Sequence, residues 1–317
     1  MPGINGGRTR QTVALLVVSI SLLVAAVPAD AYLRNLTVRS KVTPSTSSTF
    51  KTDLVPVAGC PGPIFGGGAF VSPGFANLGL TQTMPFGGLL TGAAETDPVA
   101  GSWRLSSRAF CAEQVGGLPQ AGETGPFFKF MQFYGRTSAN NSSEVKTVIA
   151  QCPAPNIAIT GGGEIDSAVS KQAFQSHQRV NGGTAWRVVA REIDPTNANW
   201  AVKASVVCVN ATTPSNLPRF IGPTAQQFNP PTAFNSNSPK TLLRQCPPPQ
   251  EAIGGGARAT GAGFDDPPPR GVVITRSVGA YIINGKYTWV TEARETKPTN
   301  QSWRLNANVT CAYTNAG

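Results

Sequence analysis

Apolar and polar residues alternate with a period of two along the stretches that close each third of this chain. Trp303, Leu305, Ala307, Val309 and Cys311 fall on one face, and Arg304, Asn306, Asn308 and Thr310 on the other. Trp200, Val202, Ala204, Val206 and Cys208 repeat the pattern. Such alternation describes antiparallel strands with one buried face. Trp and Cys share that face, which predicts an indole packed in the core near a cysteine.

The pattern recurs because the chain is built from three copies of one unit. Residues 89–111, 186–208 and 289–311 align without gaps. Each has a Glu (Glu95, Glu192, Glu295), a Pro (Pro98, Pro195, Pro298), a Trp (Trp103, Trp200, Trp303) and a Cys (Cys111, Cys208, Cys311) at the same spacing. Upstream, each has a Cys-Pro and then three glycines. These are Cys60 with Gly66, Gly67 and Gly68; Cys152 with Gly161, Gly162 and Gly163; and Cys246 with Gly254, Gly255 and Gly256. A Lys-Thr opens each copy, at Lys51, Lys146 and Lys240.

Turn residues complete the strand reading. Pro within each turn before the last strand pre-sets a turn dihedral. Asn181-Gly182 and Asn284-Gly285 signal tight hairpins in copies two and three. Copy one lacks the Asn-Gly and has Leu89 where the others carry Trp186 and Trp289, as a degenerate terminal repeat does. The Pro after each first Cys ends its strand or confines it to an edge. The glycines imply a bulge or a close backbone approach beneath a Trp or a disulfide.

The expected fold is all-β: three tandem, disulfide-closed antiparallel units, either small sandwiches or the sheets of a three-fold prism-like assembly. Repeat cores are placed at 51–112, 146–209 and 240–314. A polar stretch, 32–50, read as a leader or an edge strand, precedes them. Connections at 113–145 and 210–239 separate them, and a short tail, 315–317, follows. The connections hold the aromatic run 127–134 and Phe220, Phe228 and Phe234, which are expected to pack between repeats or add a strand.

Composition agrees, with 34 Gly, 27 Pro and only 13% charged residues. Residues 1–31 read as a secretory signal peptide: Arg8 and Arg10, an apolar stretch from Val13 to Val27, then an Ala29-Asp30-Ala31 cleavage pattern. No later apolar run is long enough to span a membrane. Export permits disulfides. The repeat predicts that each copy closes on itself, as Cys60–Cys111, Cys152–Cys208 and Cys246–Cys311.

Candidate chemistry is sparse. Zinc fails on spacing, since there is no C-x-x-C and His177 is the sole histidine. No G-x-S-x-G, H-E-x-x-H or G-x-G-x-x-G before a helix occurs. No cofactor is expected. Two carboxylate pairs, Glu164 with Asp166 and Asp265 with Asp266, keep a secreted hydrolase as an alternative. The repeated Glu95, Glu192 and Glu295 are expected to pair with neighbours such as Arg104 or Arg304.

The Cys-Pro…Gly-Gly-Gly…Trp…Cys segments resemble those of uncharacterised secreted bacterial proteins, common in actinobacteria. That resemblance covers the three cores and implies export and a β-rich disulfide unit. It carries no activity.

Formal net charge is +10, with basic residues dispersed. This suits an acidic envelope polymer or carbohydrate partner, and no nucleic-acid partner is expected. The leading expectation is a non-enzymatic exported protein that binds extracellular or surface polysaccharide. Its contacts would come from the variable middles: Phe174, His177, Arg179, Arg276, Tyr281 and Tyr287. The other alternative is a self-associating envelope protein.

Overall fold

The computed structural model describes residues 32–85, 87–115, 132–167, 171–210, 231–248, 250–263, 265–283 and 286–315. The predicted signal segment, aromatic residues 127–131, Phe220, Phe228 and Asn284-Gly285 lie outside these. Copy one supplies β1 (Tyr32–Val42), β2 (Phe50–Pro56), β3 (Ile64–Ser72), β4 (Leu78–Pro85), β5 (Gly88–Glu95) and β6 (Arg104–Val115). Copy two supplies β7 (Gln132–Thr137), β8 (Val145–Gln151), β9 (Asn156–Ser167), β10 (Gln172–Val180), β11 (Ala185–Glu192) and β12 (Trp200–Asn210). Copy three supplies β13 (Lys240–Gln245), β14 (Gln250–Thr260), β15 (Val272–Ile283), β16 (Lys286–Glu295) and β17 (Arg304–Asn315). Among the described residues there is no α-helix, and no helix long and apolar enough to cross a membrane.

The protein is all-β, and its three sheets do not coincide with its three repeats. Strands β2-β5-β4 of copy one continue into β9-β12-β7 of copy two. Strands β8-β11-β10 of copy two continue into β14-β17 of copy three, and β13-β16-β15 of copy three into β3-β6-β1 of copy one. The third copy thus pairs back onto the first and closes a ring. The seams are short and equivalent: Thr83 opposite Gly163, His177 opposite Ala257, and Ser277 opposite Ala69. A parallel contact of β1 with β17, at Leu33–Thr314 and Arg34–Asn315, joins two of the sheets at one end. Of the two readings of 32–50, leader or edge strand, the strand is the one found: β1 is laid along β6.

The Cys-Pro step explains the sharing. After β2, β8 or β13 the chain reaches Cys-Pro, where Pro donates no ladder hydrogen bond, and it re-enters as the central strand of the next sheet. All three predicted disulfides form, Cys60–Cys111, Cys152–Cys208 and Cys246–Cys311. Each first Cys follows a strand of one sheet and each second Cys lies in the next, so every disulfide ties two sheets at a corner. Paired cysteines throughout are the pattern of extracellular chains.

Each copy carries the same two bulges. The pairing slips by one residue at Phe65, Ile159 and Ile253, and again at Thr81, Gln175 and Thr275. A bulge re-aims its extra side chain. The first set meets in one apolar cluster, joined by Phe110, Val207, Val309 and Trp289. The final strands are therefore buried on both faces near their cysteines, not on one face only. A larger core gathers Trp103, Trp186, Trp200 and Trp303 from all three copies.

The glycines sit where backbones meet. A Cβ at Gly68, Gly162 or Gly256 would overlap the carbonyl oxygen of Ser277, Thr83 or His177 across the seam. A Cβ at Gly67, Gly161 or Gly255 would overlap the side chain of Leu89, Trp186 or Trp289. By register the middle run is displaced by one residue: Thr160 stands opposite Val207, where Gly66 faces Phe110 and Gly254 faces Thr310.

Candidate functional site

The repeated Lys, Trp and Glu form one buried constellation per copy, and it is structural. Lys51, Lys146 and Lys240 place Nζ 4.9, 4.8 and 4.8 Å from the ring centroids of Trp103, Trp200 and Trp303. Each ammonium also donates to a carbonyl of the preceding segment, Pro44, Ala139 or Ala233, and to Thr46, Asn141 or Asn235. Burial lowers the pKa of all three lysines, and the carboxylates of Glu95, Glu192 and Glu295 partly oppose that. Trp103 Nε1 donates to Glu95 Oε1 at 2.9 Å, and Trp303 Nε1 to Glu295 Oε1 at 2.9 Å. In copy two, Trp200 Nε1 and Glu192 Oε1 are both buried without a partner. The other oxygen of each Glu accepts a turn N–H, from Val99, Thr196 or Thr299.

This corrects two expectations. All three glutamates hold the turn, and Glu95 and Glu295 also hold the indole, rather than Arg104 or Arg304. The Trp is not beside its own disulfide either, because eight residues of extended strand separate Trp103 from Cys111 by roughly 26 Å. The residue that packs with the cysteines is the earlier aligned one: Leu89 with Cys60 and Cys111, and Trp289 with Cys246 and Cys311.

The sequence-predicted contact residues do not form a surface. Phe174, His177 and Arg179 lie on β10 and are buried. That strand reads as polar, Gln-Ala-Phe-Gln-Ser-His-Gln-Arg-Val, yet only Val180 escapes burial. β10 runs between β11 and β14 in its sheet, and β4, β9 and β15 of the other two sheets pack against it, so both of its faces are buried. His177 packs against Phe174 and Trp186, with ring centroids 6.0 and 6.2 Å away. Burial pushes its imidazole down to about 4 and the Arg179 guanidinium down to about 10. Arg276 is half-buried, over the Phe70 ring at 5.1 Å. Tyr281 and Tyr287 fall on β15 and β16, and their side chains lie outside the described residues.

Three of the four candidate carboxylates, Glu164, Asp166 and Asp265, are occupied by cations. Lys203 Nζ lies 3.2 Å from Glu164 and 3.3 Å from Asp166. Asp265 accepts from Arg258 at 2.8 Å and Arg187 at 3.3 Å, which hold its carboxyl below the usual range.

An open cleft of about 480 Å³ is formed where copy three departs from the other two. The connection from β14 to β15 spans 261–271, against 73–77 from β3 to β4 and 168–171 from β9 to β10. The longer connection crosses to copy two: Arg191 Nη1 donates to Pro268 O at 2.9 Å. Glu144, just before β8, takes Nη2 of Arg191 and Nη2 of Arg270, each at 2.6 Å. These bonds, Arg270 first, hold the Glu144 carboxyl below its ordinary range. Asp266 Oδ2 accepts from Gly263 N at 2.6 Å and fixes the connection on itself. Phe234, 48% exposed, forms part of the cleft with Arg191, Asp266, Arg270, Gln301 and Ser302. The Arg304 guanidinium lies 5.8 Å from the Phe234 ring centroid.

Sequence reasoning missed Glu144, Arg191 and Arg270, because they meet only through the ring closure of copies two and three. The visible signals were the longer variable middle of copy three, with its Asp-Asp-Pro-Pro-Pro-Arg, and Phe234 among the aromatics of the connection. No family model matches the chain, and no curated protein matches it.

Proposed function

We propose that the protein is an exported, non-enzymatic module that binds an extracellular or surface polysaccharide in the cleft at residues 261–271. The observation that carries this reading is the cleft itself, where, among the described residues, a copy-specific connection adds an open, concave surface to the repeated framework. Insertions in a repeat fold commonly build its binding face. An exposed ring, Phe234, offers a platform for a sugar face, and Arg270, Gln301, Ser302 and Asp266 offer hydrogen bonds to hydroxyls. Glu164, Asp166 and Asp265 are each engaged by a lysine or arginine, which supports binding over hydrolysis.

The test is binding of residues 32–317 to an array of wall and extracellular polysaccharides in high salt, with Phe234→Ala beside it. Salt-resistant binding to a few sugars, lost in the variant with its melting unchanged, is the expected result. Binding to every polymer alike, or binding indifferent to Phe234, would overturn the assignment.

One observation favours self-association as a second reading. Phe50 and Leu54, 49% and 45% exposed, share the outer face of edge strand β2. A concentration-dependent mass in light scattering that is abolished by Leu54→Asp would support it.

A further inference from the structure

The polysaccharide reading leaves open what kind of sugar the cleft accepts, and the disposition of Arg270 narrows the choice. Arg191, Arg270 and Asp266 are the charged residues of the lining, and Glu144 pairs with both arginines from behind them. Arg191 is tied down on two sides, by Pro268 O and by Glu144. Arg270 is 37% exposed and engages Glu144 through Nε and Nη2. Its Nη1 edge has no partner among the described residues. A guanidinium held at one edge by a carboxylate is a preorganised, directional donor at the other, and its fork matches an oxyanion. Phe234 supplies an apolar face in the same cleft. Asp266, whose Oδ2 accepts from Gly263 N, is the carboxylate of the same lining.

We infer that the cleft takes an anionic sugar unit, its oxyanion bound by Arg270 and its ring laid on Phe234. The inference rests on the polysaccharide reading and deepens it. The oxyanion comes either from a uronate carboxylate or from a sulfate ester.

The experiment is calorimetric titration of residues 32–317 with three oligosaccharides of equal length: an oligouronate, a sulfated oligomer and a neutral one. Each is run at low and high salt, with Arg270→Gln, Phe234→Ala and Arg136→Gln. The last removes the same charge from an exposed strand outside the cleft. Circular dichroism melting checks that each variant folds. The expected result is binding of an anionic oligomer weakened about tenfold or more by Arg270→Gln and by Phe234→Ala, and unchanged by Arg136→Gln. A preference for uronate over sulfate, or the reverse, identifies the source of the oxyanion. Equal losses in Arg270→Gln and Arg136→Gln would reduce the effect to bulk charge and overturn the inference. Binding of the neutral oligomer as tight as the anionic ones would overturn it while leaving the polysaccharide reading standing. No binding of any oligomer would remove both.

Discussion

At position 177 a histidine stands where the other copies carry Thr83 and Ser277, at the same place on the seam. It is 2% exposed, and both ring nitrogens lack a partner. Desolvation holds its pKa near 4, against 6.5 in the open chain. The folded state therefore stays unprotonated while the unfolded state takes up a proton below about 6.5. Stability from this group is complete above that pH and is lost as pH falls toward 4, by about 3 kcal/mol in all. His177→Thr, which installs the residue of copy one, is expected to flatten the pH dependence between 6.5 and 4, whatever it does to stability at neutral pH. Urea titrations at several pH values read this out. The buried indoles give a second contrast. Glu295→Ala leaves Trp303 Nε1 without its acceptor and is expected to cost about 1–3 kcal/mol. Glu192→Ala should cost less, because Trp200 Nε1 makes no such bond to lose.

At the scale of the strands, the seams carry the argument. Each is two residue pairs long and depends on a glycine opposite a neighbouring carbonyl. Gly162→Ala would drive a Cβ into Thr83 O, so the strands must part. A loss of about 3 kcal/mol is expected in denaturant unfolding. Gly182→Ala is the comparison: nothing lies within 4 Å, and only the φ of +63° opposes a side chain, so about 1 kcal/mol is expected. The strands and disulfides were legible because alternation and repeated spacing are local signals. Pairing partners were not, since a period of two marks a buried face without saying which strand lies alongside. β10 shows the limit most clearly. Its polar residues suggested an exposed variable middle, and strands of the other two sheets packed against it bury them. The cleft was hidden for the same reason, because Glu144 and Arg191 belong to one copy and Arg270 to the next.

For the whole molecule, sharing each sheet between two copies means that no copy encloses its core alone. The disulfides act at this scale, each tying two sheets across a loop of 51, 56 or 65 residues. Replacing Cys152 and Cys208 together by Ser is expected to cost about 4 kcal/mol. It should lower the stability of the entire ring, not of copy two alone. Differential scanning calorimetry of residues 32–317 with the disulfides intact tests the shared-sheet account most directly. One transition, with calorimetric and van't Hoff enthalpies equal, is the predicted result, because all three sheets must open together. Two or three separable transitions, or a fragment of a single copy that melts cooperatively as a monomer, would contradict it.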